Sequence, residues 1–340
     1  GCGLAASIGL LARPISGALG ASGAALDAAT TYLRIGALGI PAVLVALAAQ
    51  GILRAHRRLT NALVIVVVAN IANLLIEIVA VWVLHLGIAG SAWSTTLVQL
   101  GTLAVYLRAV APQLQGSDGT LPAGEVRALA AVGGHLIVRV LALMATFTAA
   151  TAIASRAGAT VGAAHQIVNS SFLLLALVLD ALAIPAQTLV AEALGSNDVA
   201  AMRTITQRVL VWSVRFGVLL GVLLAAGAPM LTRIFSTDDH VQRQATSGLV
   251  VLAIALIPGA IAFGYDGVMI GAGLFPSMSR LMVVTLTLFA LTLSVWSAVS
   301  TLNLVAVWVS LGAWLALRAL GAFFITRRRF MGHRHYSHYQ

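Results

Sequence analysis

Four ionisable side chains stand inside otherwise apolar runs. Glu77 lies in VANIANLLIEIVAVWVL, Arg139 in HLIVRVLALMATF, Asp180 in FLLLALVLDALAIPAQ and Asp266 in LIPGAIAFGYDGVMIGAG. A charge at the middle of a membrane span costs about 2.5–3.5 kcal/mol on insertion scales. Four of them would cost on the order of 10 kcal/mol unless they face water, one another or a cargo. The economical chemistry is a polar pathway through a helical bundle, along which a proton, a metal cation or a solute moves.

The neighbours of these residues fall at helical spacing. Asn70, Asn73 and Glu77 are placed i, i+3, i+7, on one helix face. A carboxylate with a carboxamide one turn away holds either a proton or a partly dehydrated Na⁺, because oxygen ligands satisfy both. The competing reading makes Glu77 a bond to a neighbouring helix and the asparagines interhelical glue. Gln166, Asn169, Asp180 and Gln187 form a second stripe, expected to line a cavity or to make a structural seam. His135, Arg139 and Thr146 form a third, and an Arg139–Asp180 pair is expected. Asp266 follows Pro258 and precedes Gly267, Gly271 and Gly273, which suits a gate or an ion site beside a bend. Gly267-x-x-x-Gly271 and Gly217-x-x-x-Gly221 also fit helix-packing motifs.

These stripes need long apolar helices to carry them, and the composition supplies these. Of 340 residues 60% are hydrophobic and 9% charged, and the mean hydropathy is +1.00. Soluble domains carry about 25% charged residues, so a water-exposed surface cannot be built from this chain. Strict alternation over ~10-residue segments, the mark of an outer-membrane barrel, is missing. The class is all-α and integral to the lipid bilayer. The net charge of +10 is the balance of 20 basic and 10 acidic residues, and the basic ones are all arginine, mostly at the ends of apolar runs. That placement is a topology signal rather than a groove for nucleic acid. Cys2 alone excludes an internal disulfide or a cysteine-rich metal site. His333, His335 and His338 in the tail read as a segment near anionic headgroups rather than a metal site.

Full spans are expected at 33–54, 62–84, 90–110, 129–154, 161–189, 206–232, 246–271, 280–300 and 303–325, nine in all, with part of another at 1–12. The stretch RPISGALGASGAALDAATTY between them reads as turn material. The hydrophilic segment at 112–128 is the expected linker between an N-terminal lobe (1–111) and a C-terminal lobe (129–326), followed by a basic tail (327–340). Alternate connections hold twelve arginines against five, which puts the linker and the C-terminus in the cytoplasm. The chain begins GCGLAAS without methionine, within an apolar segment, and no signal peptide is visible. It reads as a piece whose natural start lies upstream. A weak repeat supports two parallel lobes: LGIPAVLVALAAQGILRA (38–55) is echoed by ALIPGAIAFGYDGVMIGA (255–272), aligning Gln50-Gly51 with Asp266-Gly267.

The phrases YLRIGALGIPAVLVALAAQGILRA (32–55), ANIANLLIEIVAVWVLHLGIAGSAWST (69–95), GAAHQI (162–167), LDALAIPAQTLVAEALGSND (179–198) and DGVMIGAG (266–273) resemble the multidrug and toxic compound extrusion (MATE) family, especially its DinF-like branch. The resemblance implies twelve helices in two six-helix lobes, of which this chain lacks the first two and part of the third. It implies a monomeric antiporter of the plasma membrane, expelling a small-molecule cargo in exchange for H⁺ or Na⁺, with no other cofactor. By position Asn73 and Glu77 match the family's N-lobe cation site, where many relatives have Asp at 77. Asp266 matches an acid on the tenth helix of some relatives. Gln50, Asn70, Arg139, Gln166, Asn169, Asp180 and Gln187 are the candidate cavity residues.

Two other functions remain. A flippase for lipid-linked sugars would want a cationic cluster for pyrophosphate, toward which only Arg139 and Arg215 are available. A truncated remnant without activity is the other. An enzyme is not expected: neither HExxH nor GxSxG is present, and GASGA at 20–24 misses the last position.

Overall fold

The computed structural model describes residues 1–18, 23–55, 58–114, 123–299 and 303–331. Among these there are ten α-helices and no strand. The chain divides into two compact units, Gly1–Thr120 and Leu121–Gln340.

The first unit holds α1 (Cys2–Ala18), α2 (Gly23–Ala55), α3 (Leu59–Ile78) and α4 (Gly87–Leu114). In it α2 packs against α1 and α4, and α3 leans mainly on α4. Small residues make close approach possible: Ala46, Ala49 and Ala62 meet Leu53, Tyr106 and Val110 in its core. Thr96 Oγ1 donates to the Ile35 carbonyl at 3.2 Å, tying α4 to α2. The Tyr106 hydroxyl donates to the Ala62 carbonyl at 3.3 Å, tying α4 to α3. Beyond Ile78 the helix widens into a π turn, Val79–Val83, and a short connection returns the chain into α4. Only 6% of the most apolar window of the span Thr60–Val83 is buried. A helix so apolar, with Leu63, Val67, Val68, Ile71 and Leu74 all exposed, has lipid as its solvent.

The second unit holds six helices: α5 (Ala123–Arg156), α6 (Ala159–Gly195), α7 (Val199–Phe235), α8 (Asp239–Gly271), α9 (Phe275–Val299) and α10 (Leu304–Met331). Here α8 is the hub, packed on α6, α7 and α10, while α5 packs on α9. The contacts of α8 are backbone-close. A Cβ added at Gly267 or Gly271 would run into the Ala183 or Gln187 carbonyl oxygen of α6. One added at Gly217 or Gly221 of α7 would meet the Leu256 or Ala253 carbonyl of α8 at 2.8 and 2.5 Å. Both small-residue motifs are therefore packing seams. Around the hub Phe147 stacks on Phe172 at 5.1 Å and meets Trp314 edge-on at 5.8 Å.

Three expectations change. Eight described helices are long and apolar enough to cross a membrane, with Cys2–Gly17 a shorter apolar helix. The expected span at 90–110 is not among them, because Ser91, Ser94, Thr95, Thr96 and Gln99 make α4 more polar than a lipid-facing span. The supposed turn material after residue 12 is helical on both sides of 19–22, a segment outside the described residues. Described hydroxyls on either side bond within their own helices: Ser16 donates to the Ala12 carbonyl at 2.8 Å and Thr30 to the Leu26 carbonyl at 2.7 Å. Of the residues assigned to the linker, 112–114 belong to α4 and 123–128 to α5, while 115–122 lie outside the described residues. So do Arg57 and the tail with Arg334, His333, His335 and His338.

Candidate functional site

In the first unit α2, α3 and α4 enclose a pocket of about 250 Å³. Gln50 enters it from α2, Asn70 and Asn73 from α3, and Thr95, Gln99 and Thr102 from α4. Asn70 is half occupied by its own helix, donating Nδ2 to the Val66 carbonyl at 2.8 Å. The Oδ1 of Asn73 is buried without a hydrogen-bond partner. An orphaned buried acceptor costs about 1–3 kcal/mol, so this oxygen has a standing demand for a donor or a cation.

Glu77 sits one turn farther along the same face of α3, outside the lining of that pocket. Ser91 Oγ donates to its Oε1 at 2.6 Å, a contact made possible by the short return from α3 to α4. Sequence spacing therefore brings Gln50, Asn70 and Asn73 into one pocket and leaves Glu77 beside it. The α4 side was missed, although Thr95, Gln99, Thr102 and Tyr106 recur at helical spacing and form the opposite wall. Amide, hydroxyl and carboxylate oxygens are the donors here, a hard-ligand set suited to H⁺ or an alkali cation rather than to a transition metal. Among the described residues no cluster of three His, Cys, Asp or Glu side chains exists to hold a metal.

The second unit has a different site. Asp266 Oδ2 on α8 accepts from Arg139 Nη2 on α5 at 2.8 Å and from Arg318 Nη2 on α10 at 2.8 Å. The side chains of Arg318 and Asp266 are 2% and 6% exposed, that of Arg139 21%. Arg318 lies over the Trp314 ring at 4.6 Å, a contact that offsets part of the cost of burying a guanidinium. The Nε atoms of both arginines are buried without partners. Two cations thus share one carboxylate.

This corrects the expected Arg139–Asp180 pair: Arg139 takes Asp266 instead, because α5 presents it toward α8. Asp180 lies within electrostatic reach of Arg139 and Asp266. Arg318 was missed altogether, although it interrupts an apolar run as plainly as Arg139 does. On the same α5 stripe His135 Nδ1 meets Ser279 Oγ at 2.9 Å, and Thr146 donates to its own helix at the Ala142 carbonyl. The α6 stripe divides. Asn169 has a buried Oδ1 without a partner, whereas Gln166 and Gln187 are exposed.

The MatE family model matches residues 1–79 and 135–296, which is more than half of the chain. The chain belongs to the MatE family. Protein DETOXIFICATION 44, chloroplastic, of Arabidopsis thaliana is 32% identical over 290 residues, covering 85% of this chain and 55% of that protein. DNA damage-inducible protein F of Escherichia coli (strain K12) is 28% identical over 336 residues, covering 96% of this chain and 72% of that one. A crystal structure of MATE in complex with MaL6 superposes with a TM-score of 0.88 at 17% identity, over 97% of this chain and 76% of that one. This MatE chain thus spans about half the length of the plant relatives and has the family's fold. It is a multi-pass membrane protein.

Proposed function

We propose that the protein is a secondary antiporter. In this reading it exports lipophilic or cationic drugs and toxic metabolites across the plasma membrane in exchange for H⁺ or Na⁺, by alternating access. Asn73 and Glu77 bind the coupling ion, and Gln50 and Asn70 line the approach. The observation that carries this reading is the buried, unpartnered Asn73 oxygen one helical turn from a carboxylate, on a helix otherwise facing lipid. A proton taken up by the Glu77 carboxylate, or a Na⁺ held between it and the Asn73 oxygen, weakens the Ser91–Glu77 bond, which couples occupancy to the α3–α4 contact. The C-terminus faces the cytoplasm and the protein works as a monomer.

The test uses proteoliposomes carrying the protein, loaded with a fluorescent cationic dye. A pH gradient and a Na⁺ gradient are imposed separately. Efflux driven by one gradient and abolished in Glu77→Gln supports the reading; unchanged efflux in Glu77→Gln removes it. If residues 1–340 transport nothing under either gradient, they are a remnant without activity.

One observation favours a second reading, a flippase for lipid-linked sugars. Arg318 joins Arg139 at Asp266, giving the cationic cluster that a pyrophosphate-bearing cargo requires. Movement of a fluorescent lipid pyrophosphate across the same vesicles, lost in Arg139→Gln, would select it over drug export. Within the antiporter reading, Asp266 serves as the counter-ion of the two arginines rather than as a second cation site.

A further inference from the structure

A second pocket, of about 180 Å³, lies in the second unit among the start of α7, the last third of α8 and the end of α10. Its polar lining includes Arg203, Gln207, Tyr265 and Arg327, and Leu210 and Phe323 form an apolar wall. Arg203 is held in place by its Nε and Nη2, which both donate to the Phe330 carbonyl at 3.0 and 2.7 Å. That carbonyl is one of the acceptors a helix end leaves open. Arg327 extends over the Phe323 ring at 5.9 Å and has no carboxylate partner among the described residues. Tyr265 is 2% exposed and lines the pocket.

We propose that this pocket takes the phosphate headgroup of an anionic phospholipid, with Arg203, Arg327 and the Tyr265 hydroxyl as donors. Two guanidinium groups more than neutralise the single negative charge of a phosphodiester and supply donors to its oxygens, and the hydroxyl adds a further donor. The depth is right. At 37 residues, α7 is about 55 Å long, well beyond a hydrocarbon core of about 30 Å, so its first turns reach the headgroup layer. The lipid source, rather than free phosphate, follows from the wall: Leu210 and Phe323 continue onto exposed Leu320 and Phe324, a surface for acyl chains. Basic pockets between spans bind lipid headgroups on this principle.

Native mass spectrometry of the delipidated chain tests this, offering phosphatidylglycerol, phosphatidylcholine or inorganic phosphate at equal concentration. One phosphatidylglycerol is expected to stay bound per chain, at least five-fold over phosphatidylcholine. Arg327→Gln should cut that retention about five-fold and Tyr265→Phe about three-fold, whereas Arg327→Lys keeps most of it. Arg328→Gln, outside the pocket, should change it less than two-fold. Each variant is first checked for an unchanged elution profile and melting temperature. Equal retention of the two lipids, or an Arg328→Gln loss matching that of Arg327→Gln, overturns the site. Phosphate that binds alone and displaces the lipid overturns the lipid as its occupant.

Discussion

Arg318 and Asp266, 52 residues apart in sequence, meet at 2.8 Å inside the second unit, and the same carboxylate oxygen also receives Arg139. The arrangement is unequal. Asp266 has two partners, while each arginine has this one carboxylate.

Removal of Asp266 should therefore cost more than removal of either arginine. Asp266→Ala strands two cations, and breaking a buried pair costs about 3–5 kcal/mol. Arg139→Met leaves Asp266 with Arg318 and should cost less than half as much. Melting temperatures in detergent would order the variants, and an equal loss for both would contradict the shared-carboxylate arrangement.

In the first unit Ser91 Oγ donates to Glu77 Oε1, the contact to which the proposed antiport assigns coupling. Glu77→Gln should abolish gradient-driven efflux, at least ten-fold below the parent. Ser91→Ala removes one hydrogen bond worth about 1 kcal/mol and should slow efflux by no more than about five-fold. Rates measured under one imposed gradient separate the two roles; equal losses would mean that the pair acts only as a helix tie.

Packing gives a sharper structural test. Gly271→Ala would press a methyl group against the Gln187 carbonyl, and overpacking of this kind costs about 1–3 kcal/mol. At Gly227 nothing lies within 4 Å of an added Cβ. There alanine should stabilise the helix by about 0.5–1 kcal/mol. Thermal unfolding of the two variants should shift in opposite directions.

The start of α8 should respond to acid. Asp238 caps this helix, its Oδ1 accepting from the backbone amides of His240 at 2.7 Å and Val241 at 3.3 Å. Those bonds hold its carboxyl below the usual carboxylate range. A lowered folded-state value means stabilisation present above the unfolded value, about 3.9, and lost as pH falls through the folded one. Protection of the His240 and Val241 amides, relative to their unstructured exchange rates at the same pH, should therefore fall below about pH 4. In Asp238→Asn, which caps without titrating, that fall should vanish.

The sequence made the helices legible because lipid demands unbroken apolar runs with internally bonded backbones. The same rule explains the errors. Pro14 and Asp27 look like turn residues by soluble-protein standards, yet both lie in helices, where the hydroxyls near them bond back to their own carbonyls. Asn70 and Asn73 were readable from helical spacing and Gln50 from the internal repeat. Their facing wall on α4 was not, since single hydroxyls and amides in a span carry no charge penalty to draw the eye. Arg318 was readable and overlooked. Which arginine would take Asp266 was never in the periodicity, because it depends on how α5, α8 and α10 turn toward each other.

The glycine seams of α8 divide the chain into positions that can drift and positions that cannot. Where a carbonyl occupies the space of a methyl group, as beside Gly267 and Gly271, every other amino acid is shut out regardless of its polarity. On the outer face of α3, by contrast, leucine, valine and isoleucine are interchangeable oils. Random mutagenesis scored for folding alone should leave the seams untouched while the outer faces fill with substitutions.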